Sequence, residues 1–298
     1  MKKIILIFGY GKWAKKIIRF LKNKKTFTEI YIKTSKRFLK IHPEKKELKL
    51  ESFDSKINKI RYFHICAPTS KHYKIIEKNN FRKVNLIIEK PLINKNNELN
   101  KIRPFFKYNK IIVNYIDLYN PLLQNIKKEI NAITSLNIEF GNKSLFKKKD
   151  ESIDEWLDHP LAILLFLFKK FPDFKVIHYR NEIIKNQYID MLHLQYYFKN
   201  KIINVKLNMK FPLLERLITL KKKNLITKIN LKKKIRNKNQ KIKIGKDNSL
   251  NLLYNDLEKS KISYFQNFNF HKEIYKEKRR IKNKLQDKKN ISEHSKSK

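Results

Sequence analysis

Apolar and polar positions follow two different rhythms along this chain. Short, β-branched apolar runs at Ile4 to Phe8, Ile30 to Ile32, Tyr62 to Ala67, Val84 to Ile88 and Ile111 to Val113 predict buried strands. Between the first two, Ala14, Ile17, Ile18 and Leu21 repeat at the spacing of one helical face. Tyr73, Ile75 and Ile76 make a shorter version after His72. Parallel neighbours need a crossover connection, so strands alternating with helices predict a parallel sheet with helices on its faces. This first domain is expected over residues 1–118.

From Pro121 the rhythm changes. A helix is expected over 121–130, carried by Leu122, Leu123, Ile126 and Ile130, then a strand near 134–140 and a strongly apolar helix over 160–168. After Pro172 the runs "FKVIHYR", "YIDMLHLQYYF", "KIINVKLNM", "ERLITLKK" and "NLITKINL" read as successive antiparallel strands, with Lys199 and Asn200 in a hairpin turn. Two helices follow at 249–260 and 270–285. The chain is therefore expected to be α/β, its parallel-sheet domain followed over 119–285 by an α+β domain with an open, mostly antiparallel sheet. Residues 286–298 have almost nothing to bury and are expected to form a disordered basic tail.

Composition changes this picture only at its edges. A length of 298 residues with 41% hydrophobic content suffices for two domains with real cores. The formal charge of +44 invites a polyanion-binding reading, because clustered Lys and Arg attract phosphates. The lysines are spread over nearly every segment, however, and mixed with Ile and Asn, as an AT-rich coding bias would produce; a solvated basic surface is the bland alternative. Cys66, the single cysteine, cannot form an intramolecular disulfide, so a reduced, cytoplasmic setting is expected. The start "MKKIILIF" resembles a signal peptide, but its apolar run stops at Gly9 without a cleavage site, and "LAILLFLF" at 161–168 is far short of the roughly 20 residues that span a bilayer.

The chain has four glycines and spends two of them at Gly9 and Gly11. Placed between a strand and a helix, Gly9 lets the chain turn sharply, and Gly11 lets backbone N–H groups approach a diphosphate at the positive end of the helix. Ala14 stands where the dinucleotide fingerprint G-x-G-x-x-G usually ends in glycine, a replacement the motif tolerates. A tight turn with no ligand is the alternative. After the second strand, "IYIKTSKRF" offers no acid for a ribose 2′-hydroxyl. Instead Thr34, Ser35, Lys36 and Arg37 are there to embrace a 2′-phosphate, which favours NADP over NAD, although a Lys-Arg pair in so basic a chain also reads as a solvated turn.

Together with the glycine loop, "ICAPTSKHY" at 65–73, "IIEKPL" at 87–92 and "HPLAILLF" at 159–166 resemble the landmarks of the Gfo/Idh/MocA family of NAD(P)-dependent oxidoreductases. The resemblance covers nearly the whole chain, and Glu-Lys-Pro is its most specific part. It implies a Rossmann domain followed by the open-sheet domain inferred above. It also implies a cofactor held by Gly9, Tyr10, Gly11, Lys12, Trp13, Ser35, Lys36, Arg37, Ala67, Pro68, Thr69, His72 and Glu89. Lys90 and His159 would assist proton transfer while a secondary alcohol and a ketone interconvert on a sugar, nucleotide sugar or cyclitol. Lys90-Pro91 would be a candidate cis peptide.

The sequence departs from the family in two places. The acid four residues before His159 is Glu155, where members usually carry Asp, and Leu118 stands where they often carry Arg. Asp158 as a cap, with His159 and Pro160 as ordinary first-turn residues, is the alternative at that helix. A basic residue after the strand pair is matched by Arg216. A homodimer or homotetramer through the open sheet is implied, and no metal-ligand spacing is visible. A non-catalytic dinucleotide-binding sensor or regulator is the rival reading.

Overall fold

The structure, a computed structural model, describes residues 3–24, 26–41, 47–50, 60–141, 151–184, 187–208, 215–223, 225–232, 235–236, 249–259 and 263–294. The apolar runs of the first third all become strands: β1 (Ile4–Phe8), β2 (Glu29–Lys33), β5 (Tyr62–Ile65), β6 (Asn85–Glu89) and β7 (Lys110–Asn114). They pair in parallel in the order β2-β1-β5-β6-β7, with β1 in the interior, where Ile5 and Ile7 are fully buried. Burial on both faces is why these strands read as continuous apolar runs rather than alternating ones.

Two strands the periodicity does not predict, β3 (Phe38–Ile41) and β4 (Glu47–Leu50), extend this sheet antiparallel beyond β2. They are short and rich in lysine. Pairing, of β3 with β2 and of β4 with β3, makes them strands.

The crossover helices follow their apolar stripes. Helix α1 (Lys12–Lys24) buries Ala14, Ile17, Ile18 and Leu21, the face seen in the sequence. Helix α2 (His72–Asn79) buries His72 and Ile76 and ends on Asn80 in the left-handed conformation, which Asn tolerates at a C-cap. Helix α3 (Asn96–Tyr108) carries Pro104 in its interior, a residue that normally argues against a helix; Leu99 and Ile102, both buried, hold it in place.

The chain forms two compact units, Met1–Asn114 with Asn255–His271, and Tyr115–Tyr254 with Lys272–Lys298. The boundary expected at 118 thus falls at Asn114, and part of the segment expected in the second domain joins the first. Sheet chemistry explains the return. The side chain of Gln266, after helix α7 (Ser249–Glu258), accepts from Val113 N–H at 2.8 Å and donates to Val113 C=O at 3.2 Å, so a carboxamide satisfies the open edge of β7 as a neighbouring strand would. Phe268 and His271 pack against Phe106 of α3.

In the second unit, helices α4 (Pro121–Glu129), α5 (Glu151–Trp156) and α6 (Asp158–Phe168) accompany a seven-stranded sheet ordered β14-β13-β12-β8-β11-β10-β9. Its strands are β8 (Ser135–Gly141), β9 (Phe174–Ile184), β10 (Gln187–Phe198), β11 (Lys201–Asn208), β12 (Glu215–Lys222), β13 (Leu225–Asn230) and β14 (Ile235–Arg236). Only β8 and β11 pair in parallel. The Lys199-Asn200 turn joins β10 to β11, with Lys199 at φ 54°. Every residue of α6 is buried, as a helix apolar on all sides must be.

Helix α8 (Phe268–His294) runs past residue 286, which corrects the expected disordered tail as far as His294. Helix-favouring Lys and Gln continue a helix whose last fully described anchors, Ile281 and Leu285, are buried. Residues 295–298 of that tail lie outside the described residues. No helix among the described residues is long and apolar enough to cross a membrane.

His271 gives the first unit a pH dependence. Burial pushes its pKa down to about 3, against a small upward pull from the Gln266 backbone, so the ring is neutral in the fold but binds a proton below about 6.5 when unfolded. The unfolded state therefore takes up more protons as the pH falls from 6.5 towards 3, and stability is lost over that window. Urea midpoints measured between pH 7 and pH 4 are expected to fall, and His271→Leu is expected to flatten this slope.

Candidate active site

The site of the first unit is built where β1 ends. Gly9 sits at φ +101°, a conformation that L side chains rarely adopt, and a Cβ there would lie 3.0 Å from the backbone of Cys66 and Ala67. Two hydrogen bonds hold the turn, from Gly9 N–H to Lys33 C=O and from Cys66 N–H to Phe8 C=O, both at 2.8 Å. The carboxyl ends of β1, β2 and β5 are thereby fixed together, the place where open parallel sheets bind ligands.

Gly11 plays a different part. The first helical hydrogen bond of α1 runs from Lys15 N–H to Gly11 C=O, so the N–H groups of Lys12, Trp13 and Ala14 belong to the first turn, which has no intrahelical acceptors. A Cβ on Gly11 would meet no protein atom within 4 Å. Open space beside an amide-rich helix start is what close approach of a diphosphate requires, so the loop fits the group its sequence implies. Tyr10 and Trp13 are half-buried, Lys12 is exposed, and the Trp13 Nε1 is buried without a hydrogen-bond partner among the described residues.

Next to the loop lies a cavity of about 640 Å³. Of the expected cofactor residues, Gly9, Ser35, Ala67 and Pro68 line it; Lys36, Arg37 and His72 do not. Residues 34–37 form a tight turn between β2 and β3, in which Thr34 Oγ1 accepts from Lys36 N–H and Arg37 N–H at 3.2 and 2.8 Å, and both cationic side chains are exposed. Sequence reading also passed over Lys71, Lys74 and Lys78, which line the cavity from the N-cap and body of α2. Their spacing of three and four residues was the signal.

His72 sits inside the fold, between the two loops that flank the site. It is buried, with Nε2 2.8 Å from Ala67 C=O in the loop after β5 and Nδ1 3.2 Å from Leu92 C=O in the loop after β6; in a neutral ring a single N–H donates to one of the two. Burial lowers its pKa more than the two carbonyls raise it, which keeps the ring neutral. Thr69 begins the 3-10 turn that leads into α2.

Glu89 and Lys90 stand at the carboxyl end of β6, half-buried, and the Lys90-Pro91 bond is cis. Glu89 Oε1 accepts from His64 Nε2 and from Asn114 Nδ2, each at 2.8 Å, which fixes the carboxylate. Sequence spacing showed no metal-ligand set, yet the fold brings His64, Cys66 and Glu89 within 4.8 Å of one another. The hydrogen-bonded His64–Glu89 pair, at 2.8 Å, is closer than the ~3.3 Å that separates two ligands bound at about 2.0 Å to one tetrahedral zinc. Burial, and secondarily Glu89, pushes the Cys66 thiol well up, so it stays protonated.

The second unit holds the other expected group. His159, buried in the first turn of α6, stacks on Phe140 with ring centres 5.7 Å apart. A carboxylate that the sequence reading did not name, Asp117, lies beside it. His159 Nδ1 lies 2.9 Å from Asp117 Oδ2, close but imperfectly aligned for a linear hydrogen bond, while Asp117 Oδ1 accepts from Arg216 Nη1 at 2.6 Å. Glu155 is exposed on α5.

Burial alone would raise the Asp117 carboxyl, but the Arg216 guanidinium and the His159 ring outweigh it and hold the pKa at about 2. Asp158 does not cap α6; it is buried and pairs with Lys278 at 2.6 Å. Leu118, where the family often has Arg, is a core residue, and Arg216 enters from β12 instead.

A parallel sheet with a glycine turn after its first strand and an open helix start is the architecture of a dinucleotide-binding domain. Residues 3–114 match the sequence model of the Gfo/Idh/MocA oxidoreductases, described as "Oxidoreductase family, NAD-binding Rossmann fold". Residues 3–114 thus resemble the NAD-binding Rossmann domain of that family, whose expected cofactor is NAD(P).

Solved structures extend the likeness of fold to nearly the whole chain. The UDP-N-acetylglucosamine 3-dehydrogenase GnnA from Acidithiobacillus ferrooxidans superposes with a TM-score of 0.72 at 12% identity, over 94% of this chain and 97% of that one. A Gfo/Idh/MocA family oxidoreductase from Vibrio cholerae gives 0.67 at 14% identity, over 96% and 100%. A myo-inositol dehydrogenase from Corynebacterium glutamicum gives 0.56 at 11%, over 77% and 75%. No curated protein matches the sequence.

Asp117→Asn is expected to cost about 3–5 kcal/mol, because it leaves Arg216 half-buried without its counter-charge. Glu155→Gln, at an exposed position, is expected to stay within about 0.5 kcal/mol. The Asp117 contribution is complete above its unfolded pKa of 3.8 and is lost as the pH falls to about 2, so urea denaturation over that range is expected to show a slope that Asp117→Asn lacks.

Proposed function

We propose that this protein is an NAD(P)-dependent oxidoreductase that interconverts a secondary alcohol and a ketone on a sugar, nucleotide sugar or cyclitol. The observation that carries the reading is the position of Lys90 at the carboxyl end of β6, in the same sheet whose β1 ends in the Gly9–Gly11 loop. The substrate class is supported by two structural relatives that are a UDP-N-acetylglucosamine 3-dehydrogenase and a myo-inositol dehydrogenase. When bound, NAD(P) supplies the hydride acceptor or donor.

The chain's own residues handle position and proton. The first-turn amides of α1 bind the diphosphate, and Glu89, fixed by His64 and Asn114, presents an oriented carboxylate at the end of β6. Lys90 Nζ donates a hydrogen bond to the substrate oxygen and shares its proton as that oxygen changes between hydroxyl and carbonyl. His159 takes up or returns a proton at Nε2, with Nδ1 turned to Asp117; a fixed carboxylate on one ring nitrogen orients the ring and stabilises its protonated form. Asp117 is a positioning residue here. By giving His159 a buried carboxylate, it answers the departure at Glu155 that motivated a non-catalytic reading. The single cysteine, Cys66, fits a reducing, cytoplasmic setting.

The open face of the second unit's sheet is the surface we propose for self-association. Tyr197 and Ile202 are 39% and 45% exposed there, and His193, Gln195, Asn204 and Asn137 form a hydrogen-bonded polar ladder across β10, β11 and β8.

Titration with NADH and NADPH is expected to give saturable quenching of tryptophan fluorescence. Gly11→Leu is expected to abolish it with an unchanged melting temperature, because the new side chain meets ligand space and no protein atom within 4 Å of its Cβ. Lys90→Met is expected to lower turnover on a polyol by about 10²- to 10⁴-fold while dinucleotide affinity holds. Quenching by neither dinucleotide overturns the reading. Light scattering after gel filtration is expected to show a dimer or tetramer, and Tyr197→Asp with Ile202→Lys to shift it towards monomer.

A further inference from the structure

The cavity beside the glycine loop has a charged wall that the turn after β2 does not supply. Lys71, the N-cap of α2, and Lys74 and Lys78 on the helix line it from one side, and Lys33 lines it from the last position of β2. None of its described lining residues is acidic. The remaining surface is largely apolar, with Phe8, Ala67, Pro68 and Ile75 among the walls, as an adenine ring would need. In NAD-binding sheets an acid near the end of the second strand accepts hydrogen bonds from the ribose 2′-hydroxyl. Here that end carries Lys33, and the nearest alternative cations, Lys36 and Arg37, are exposed in the turn and outside the lining.

We infer that this site selects the 2′-phosphorylated dinucleotide, NADP(H), and that the selecting charges come from α2 and Lys33 rather than from Lys36 and Arg37. The inference rests on the dinucleotide reading proposed above and adds the ligand form and the residues that choose it. A 2′-phosphate brings a charge of roughly −1.5 to −2 into a cavity lined by four lysines and, among the described lining residues, no acid. Lysines suit the task because an ammonium on a flexible stem meets a phosphate as a point charge without fixed geometry. The helix can carry them at no cost to the core, since its inward face is taken by His72 and Ile76.

The test is isothermal titration calorimetry on the full chain with NADPH, NADH, adenosine 2′,5′-bisphosphate and 5′-AMP. NADPH is expected to bind at least ~10-fold more tightly than NADH, and the bisphosphate more tightly than AMP by a similar factor, with the steeper salt dependence on the phosphorylated member of each pair. The double variant Lys74→Glu, Lys78→Glu is expected to reduce the NADPH-to-NADH preference by about 10-fold or more, because charge reversal replaces attraction with repulsion. Lys36→Glu with Arg37→Glu is expected to change it less than ~2-fold, since neither side chain lines the cavity. All four positions are exposed, and circular dichroism melts verify that each variant folds.

Equal affinity for NADPH and NADH overturns the inference while leaving the dinucleotide reading intact. So does a preference abolished only by the turn variant. Binding of neither dinucleotide overturns both.

Discussion

The chain can leave β1 only because position 9 has no side chain. At φ +101° the backbone there passes so close to the loop after β5 that a methyl group would stand 3.0 Å from main-chain atoms of Cys66 and Ala67, which cannot swing aside as a flexible side chain would. That contact sets how near the loop lies to β1. The loop in turn carries Ala67, whose carbonyl faces one nitrogen of His72, and the other nitrogen of that ring faces the carbonyl of Leu92, just beyond Lys90. Position 9 is therefore linked through one buried imidazole to the segment that presents the proposed proton donor.

Each unit buries a carboxylate near its proposed chemistry, and each satisfies it differently. Glu89 receives a histidine N–H and an asparagine amide, which fix its orientation. Asp117 is balanced by a guanidinium on one oxygen and an imidazole on the other. A buried carboxylate paired with arginine remains ionised far below neutrality, and a ring beside it keeps a fixed orientation at every pH where an enzyme works. Burial makes both arrangements strong, and equally makes the loss of one partner costly.

Local chemistry was legible wherever one stretch of chain carries the whole signal. The buried stripe of α1, the parallel strands, the Gly9–Gly11 turn, the Lys199-Asn200 hairpin and the lysine before Pro91 all depend on residues a few positions apart. The strands β3 and β4 and the helix α3 were not legible, since lysine-rich spacing and Pro104 argue locally against what pairing and packing impose.

From the sequence alone came the class of fold, the cofactor loop and the identity of Lys90 and His159 as the groups to watch. Only the tertiary structure decided their partners. Asp117 and Arg216 meet from segments far apart in the chain, Gln266 returns to close an edge begun at Val113, and Lys71, Lys74 and Lys78 become a cavity wall because β2 ends opposite them. Periodicity reports which side of an element is buried. It carries no record of what lies across the gap, because that depends on packing between segments that share no local pattern.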